Sequence, residues 1–291
     1  MNKSLSARGY VAIAVTLLLW ASAFAGIRAA LRGYGPGQVA LLRFMVASAV
    51  LAGYGAATCM RLPARRDVPA IALMGLLGIT VYQIALNYGE VSVNAGSASF
   101  LVAAAPGITA ILAVLFLHER LTVYGWLGIG TAFLGVALIA FGEGEGFSLQ
   151  PGALLVLLAA VATSLYFIIQ KRLLGRYSAL AITTYGIWLG TIPMLVFAPG
   201  LVQQVRVAPP SATLAILYLG VFPAATAYVT WAYALSLAPA SRAASFLFLS
   251  PLLATAIARL WLGESLGPTA LLGGALVVVG VVLVNTRGRP R

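Results

Sequence analysis

The side chains best able to hold a solute are aromatic, amide and hydroxyl groups set into otherwise apolar stretches. Trp20 and Ser22 share one stretch, and Tyr82, Gln83 and Asn87 another. Ser164 with Tyr166, Tyr185 with Trp188, and Tyr228 with Trp231 occupy three more. Aromatic faces with a few polar donors suit a neutral, partly apolar or zwitterionic guest, and can also hold a cation by its charge. The same residue types form belts at membrane interfaces, the role expected of Tyr10, Tyr88, Tyr124 and Tyr218. Arg43 is the one charge well inside an apolar stretch. Its guanidinium has three available roles: bonding helix-end carbonyls, snorkelling to the surface, or meeting a substrate carboxylate. Cys59 is the only cysteine, His118 is a lone histidine, and no metal-binding spacing is present. Nothing in these residues calls for a metal or cofactor.

Acids are scarce. Glu90, Glu119 and Glu264 fall at the ends of apolar stretches, and Asp67, Glu143 and Glu145 fall in connections. A carboxylate proton relay therefore has no evident carrier, and movement of a solute down its own gradient is the simplest expectation. Glu119 and Glu264 each precede an apolar stretch, where a carboxylate complements a helix N-terminus. Thr122 is the expected cap of the helix that follows Glu119.

The elements that position these groups follow from composition. The chain is 62% hydrophobic and 8% charged, against roughly 25% charged in soluble domains. Apolar runs of about 20 residues, the length that crosses a bilayer core, recur from end to end. Ten transmembrane helices are expected, near 10–30, 36–59, 69–88, 93–117, 123–141, 151–170, 179–198, 211–235, 240–262 and 267–285. The first run is read as a span rather than a cleaved leader, since it exceeds an ordinary signal h-region. With the amino terminus inside, thirteen Lys and Arg residues collect in inner segments, while Arg32 and Arg206 alone lie in outer loops. That bias puts both termini in the cytoplasm. The net charge of +12 is thus an orientation signal, with some attraction to membrane lipid, and implies no nucleic acid.

The chain also repeats itself. Ala-Ser-Phe-Leu occurs at 98–101 and 244–247; Pro106 and Glu119 recur as Pro251 and Glu264, and Gly128 and Gly135 as Gly273 and Gly280. Five crossings per half is an odd number, so the second half must enter the membrane inverted. The fold class expected is all-α integral membrane, ten transmembrane helices arranged as two inverted five-helix repeats. Residues 1–141 form the first repeat, 142–150 a linker, 151–286 the second repeat and 287–291 a basic tail. Pro106 and Pro251 interrupt helix hydrogen bonding and serve as hinge positions. Gly96 and Ser97, with Ser99 and Ser245, offer small surfaces for close helix contact. The glycines of spans 5 and 10 mark a tight helix interface, either between the halves or in a homodimer.

These motifs resemble the EamA family of the drug/metabolite transporter superfamily. The likeness rests on Trp-Ala-Ser-Ala-Phe at 20–24, Leu-Leu-Arg-Phe at 41–44, and the stretch from Ala95 through Pro106 and Glu119 to Gly135. The chain is also similar to YddG-type exporters of aromatic and other neutral amino acids. The resemblance implies a non-enzymatic carrier in a bacterial inner membrane that moves small neutral metabolites, amino acids first among them, by alternating access. A nucleotide-sugar or sugar-phosphate exchanger is a same-class alternative, and a lipid-modifying membrane enzyme or a scaffold a different-class one.

Overall fold

The computed structural model describes residues 6–58, 60, 62–93, 95–142, 151–253 and 268–288. Arg259, Glu264 and most of the expected linker lie outside the described residues, as does the side chain of Ser97. Among the described residues the secondary structure is helical throughout, which is what lipid demands of a chain that must satisfy its own backbone.

The helices are α1 (Ala7–Ala30), α2 (Pro36–Ala57), α3 (Arg65–Ser92), α4 (Ala95–Val102), α5 (Ala105–Leu117), α6 (Val123–Gly142), α7 (Pro151–Leu173), α8 (Ala179–Phe197), α9 (Leu201–Val207), α10 (Pro210–Leu237), α11 (Ala240–Leu253) and α12 (Pro268–Arg287). Starts are set by local chemistry. Ser6 and Ser178 accept from the backbone N–H groups of Gly9 and Ala181, while Pro36, Pro151, Pro210 and Pro268 sit at first positions, where no N–H is missed. Seven helical segments are long and apolar enough to cross a membrane, counting α4 and α5 together over 98–117. Three further apolar helices, over 123–138, 240–253 and 271–287, are shorter among the described residues.

The expected fourth span is therefore not one straight helix. It breaks between α4 and α5, and Pro106 opens the second piece. Pro106 has no N–H for the Val102 carbonyl, so the helix restarts instead of continuing. In α11 a short 3₁₀ turn, Phe246–Phe248, precedes Pro251 in the same way. Two π-helical segments also recur, Leu76–Val81 in α3 and Gly220–Thr226 in α10. Pro223 removes one N–H from the second, and Gly78 in the first lies so close to the Tyr166 ring that no Cβ could fit.

Helices α6 and α12 pack along their length through glycine. A Cβ on Gly128 would lie 2.8 Å from the Gly280 carbonyl, and one on Gly135 2.5 Å from that of Gly273. One number rises as the other falls, so the two helices are antiparallel. These small-residue faces are thus used within the chain.

The end of the bundle that carries both described chain ends is stitched by polar bonds. Asp67 accepts from Arg176 at 2.6 Å and from the Tyr177 hydroxyl at 2.8 Å. Lys171 Nζ donates to the carbonyls of Leu235 and Ala238, each at 2.6 Å, ending α10. Glu119 reaches a helix other than the one that follows it in sequence. His118 takes a left-handed conformation (φ 53°) that ends α5 and turns the chain. The Glu119 carboxylate then reaches α11, accepting from Ala240 N at 2.7 Å, Ser241 N at 3.2 Å and the Ser241 hydroxyl. Thr122 does cap α6, through Gly125 N at 3.3 Å.

Candidate solute-binding site

A cavity lies among α1, α2, α3, the α4–α5 break, α7, α10 and α11, with about 720 Å³ of empty space counting the part continuous with its mouth. Trp20, Phe24 and Ile27 of α1 and Phe167 of α7 make its apolar wall. Arg43, Tyr82, Gln83 and Tyr228 make its polar face, and both Pro106 and Pro251 line it. The lining residues of α1 come from its second half and those of α2 from its first half. The cavity therefore sits at mid-depth and toward the end of the bundle remote from the termini.

Three of these polar groups, Arg43, Gln83 and Tyr228, form a single chain of bonds. Arg43 Nη1 donates to Gln83 Oε1 at 2.9 Å, Gln83 Nε2 donates to the Tyr228 hydroxyl at 3.1 Å, and that hydroxyl donates to the Gly78 carbonyl at 3.3 Å. The guanidinium also lies 5.4 Å from the Phe44 ring centroid. Arg43 is 2% exposed, yet it neither bonds helix-end carbonyls nor snorkels; its partner is an amide side chain. Among the described residues its Nε has no acceptor. Across the cavity, Trp20 Nε1 donates to the Pro223 carbonyl at 3.1 Å. Both acceptors, Gly78 and Pro223, lie in the π-helical segments, where the backbone departs from regular α-helical pairing.

The remaining expected site residues stand behind the wall or away from it. Trp231 is fully buried against Phe167, at 4.5 Å between centroids, and Trp20, at 5.6 Å. Tyr166 accepts from Gln170 Nε2 at 2.6 Å and backs Tyr228 at 6.0 Å. Ser164 donates to the Ala160 and Ala105 carbonyls, holding the α4–α5 break against α7. Ser22 shares a 2.6 Å hydrogen bond with Tyr218, and Asn87 Nδ2 donates to the Pro36 carbonyl at 3.2 Å. Tyr185 and Trp188 meet edge to face at 5.7 Å, and Trp188 Nε1 donates to the Ser48 carbonyl. Neither Tyr185 nor Trp188 lines the cavity.

Sequence reading missed Phe24, Ser99 and Phe167, which line the cavity. It also gave no sign of how deeply Glu90 is buried. Glu90, at the end of its span as expected, is 4% exposed, and among the described residues neither carboxylate oxygen has a hydrogen-bond donor. The available signal was spacing: Gln83, Asn87 and Glu90 follow at i, i+4 and i+7, one face of a helix.

A helical bundle that satisfies its backbone in lipid while keeping a polar-edged void among its helices fits a multi-pass membrane transporter. Comparison with known proteins is specific on this point. The chain belongs to the EamA-like transporter family, whose model matches it twice, over residues 7–141 and 150–286. It is 47% identical to an uncharacterized transporter, YdfC, of Bacillus subtilis (strain 168), over 90% of this chain and 86% of that one. It is 42% identical to a protein of Streptantibioticus cattleyicolor described as "Probable terminal-alkyne amino-acid exporter", over 96% of this chain and 95% of that one. A solved crystal structure superposes with a TM-score of 0.76 at 18% identity, covering 94% and 95% of the two chains, a likeness of fold.

Proposed function

We propose that this chain exports small neutral amino acids, aromatic and terminal-alkyne side chains included, across a bacterial inner membrane by alternating access. The observation that carries the reading is the cavity's division of labour. One wall is aromatic, and the other presents a buried guanidinium with an unused Nε. An amino-acid carboxylate matches that donor, and a flat or rod-like apolar side chain matches Trp20, Phe24 and Phe167. Among the described lining residues Arg43 is the only charged one. A sugar-phosphate or nucleotide-sugar exchanger would need several cations converging there, so that alternative is weaker. The name borne by the Streptantibioticus cattleyicolor relative fits the amino-acid reading.

In this reading ten spans form two inverted repeats, residues 1–141 and 151–286, with both termini cytoplasmic. The antiparallel α6 and α12 support it, because the glycine pairs 128–280 and 135–273 exchange with each other when the repeats are swapped. The π segments and the breaks before Pro106 and Pro251 also recur at matching places in the two halves. The described arrangement is then an outward-facing state, closed on the cytoplasmic side by Glu119 on α11, with the two prolines as hinges. Counterflow in proteoliposomes tests the function. Accumulation of labelled phenylalanine or L-propargylglycine is expected, with Trp20→Ala and Arg43→Gln impaired. Accumulation of nucleotide sugars without amino acids would refute the proposal.

A further inference from the structure

We propose that the α4–α5 break is a cation subsite of the cavity, holding the guest's ammonium group among the Ser99 and Thr163 hydroxyls and the Val102 carbonyl. The inference rests on the amino-acid reading and deepens it, by giving the guest's second charge a place. Ser99, Val102, Ala103 and Pro106 bring the break to the cavity wall, and Thr163 of α7 lines the same cavity. At the break, donors are in use and acceptors are left over. Ala103 N is shared between the Ser99 and Phe100 carbonyls, at 3.1 and 3.0 Å, and Ala104 N donates to the Leu101 carbonyl at 3.1 Å. Pro106 has no N–H, so the Val102 carbonyl loses the partner that a continuous helix would give it. The Ser99 hydroxyl adds a second oxygen. Ser99 is 4% exposed, and among the described residues its Oγ has no hydrogen-bond partner. Ser164 Oγ donates to the Ala105 carbonyl at 3.0 Å, which holds α7, and with it the adjoining Thr163, against the break.

An ammonium group donates hydrogen bonds and accepts none. Taken from water into an apolar wall, it must find oxygen acceptors or its burial is costly. Among the described lining residues there is no Asp or Glu, so a carboxylate does not supply them. Hydroxyl and carbonyl oxygens at an interrupted helix can, since the interruption frees backbone acceptors inside the bundle. Selectivity follows from the converse cost. A guest without the ammonium leaves Ser99 Oγ and the Val102 carbonyl unpaired in a site it has closed to water. A monocarboxylate of the same shape therefore binds less tightly than the amino acid, although it offers the same ring to the aromatic wall and the same anion to Arg43.

Equilibrium binding to the purified full-length chain tests this, with L-phenylalanine and 3-phenylpropionate as probes. The two share ring and carboxylate and differ by the ammonium group. Wild type should bind L-phenylalanine at least about tenfold more tightly. Ser99→Ala should weaken L-phenylalanine about tenfold and leave 3-phenylpropionate within about twofold, closing the gap. Thr163→Val should narrow the gap in the same way. Equal wild-type affinities for the two probes would overturn the proposal. So would a loss in Ser99→Ala shared equally by both probes, which places the hydroxyl on the carboxylate or in the packing of the wall. Unchanged affinities in both variants would overturn it as well. Those outcomes strike the subsite and leave the amino-acid reading in place, whereas a wild type that binds neither probe defeats that reading and the subsite with it. The comparison of probes on wild type needs no variant, so a Ser99→Ala chain that failed to fold would leave the test standing.

Discussion

Replacing Glu119 by alanine should open the end of the bundle that carries the termini. Its carboxylate accepts from Ala240 N, Ser241 N and the Ser241 hydroxyl, so it both caps α11 and ties that helix to the end of α5. Hydrogen bonds to a charged group contribute about 1.5–3 kcal/mol each when fully protected. Glu119 is only half-buried, and water replaces part of what is lost, so a net change of about 2 kcal/mol is reasonable for the three together. At 1.4 kcal/mol per factor of ten, that shifts the closed-to-open ratio about thirtyfold. The assay places a single cysteine at Thr163, which lines the cavity, in a chain with Cys59 replaced by serine. A membrane-impermeant maleimide is then applied to vesicles from the side of the termini. Labelling should be slow with Glu119 intact and about ten- to thirtyfold faster in Glu119→Ala, with Glu119→Gln between them. Equal rates in all three, with elution profile and melting temperature unchanged, would refute the view that this carboxylate holds the end shut.

Gln83→Leu strands Arg43 Nη1 in the cavity wall and costs about 2–4 kcal/mol, read as a lower melting temperature in detergent. Gly78→Ala drives a methyl into the Tyr166 ring and costs about 1–3 kcal/mol, whereas Gly53→Ala, with nothing within 4 Å of the new Cβ, gains up to about 1 kcal/mol. The same thermal melts decide both. Trp20→Phe keeps the aromatic wall but loses the bond to the Pro223 carbonyl. It should cost about 1 kcal/mol of stability and leave counterflow within a few-fold, unlike Trp20→Ala.

Membrane residence, helical class, the repeat and the transporter family were all legible in the sequence, because each depends on quantities that a linear string carries. Span length against bilayer thickness is one, and the recurrence of Pro106 and Glu119 as Pro251 and Glu264 is another. Trp20, Arg43, Tyr82, Gln83 and Tyr228 were also legible as polar or aromatic groups in apolar runs, and they do converge on one cavity. Ser164, Tyr166 and Trp231 carried the same local signal and stand outside it. A residue's type and depth in a span do not determine which way the helix faces.

Facing is a tertiary property. The π segments at Leu76–Val81 and Gly220–Thr226 change the register of α3 and α10 partway along, so periodicity read from one end misassigns the other. Glu119 was placed on the helix that follows it, but the left-handed turn at His118 sends it to α11, 121 residues away. Glu90 lies at the end of a span, as its place in the sequence says, but its burial could not be read there: the packing of α3 against α7 and α2 closes over it. What the sequence by itself determined is the helical class and its affinity for lipid, both sums over neighbouring residues. The tertiary structure alone decided which polar atoms are sealed from water and which of them lack partners, because that depends on segments distant in the chain.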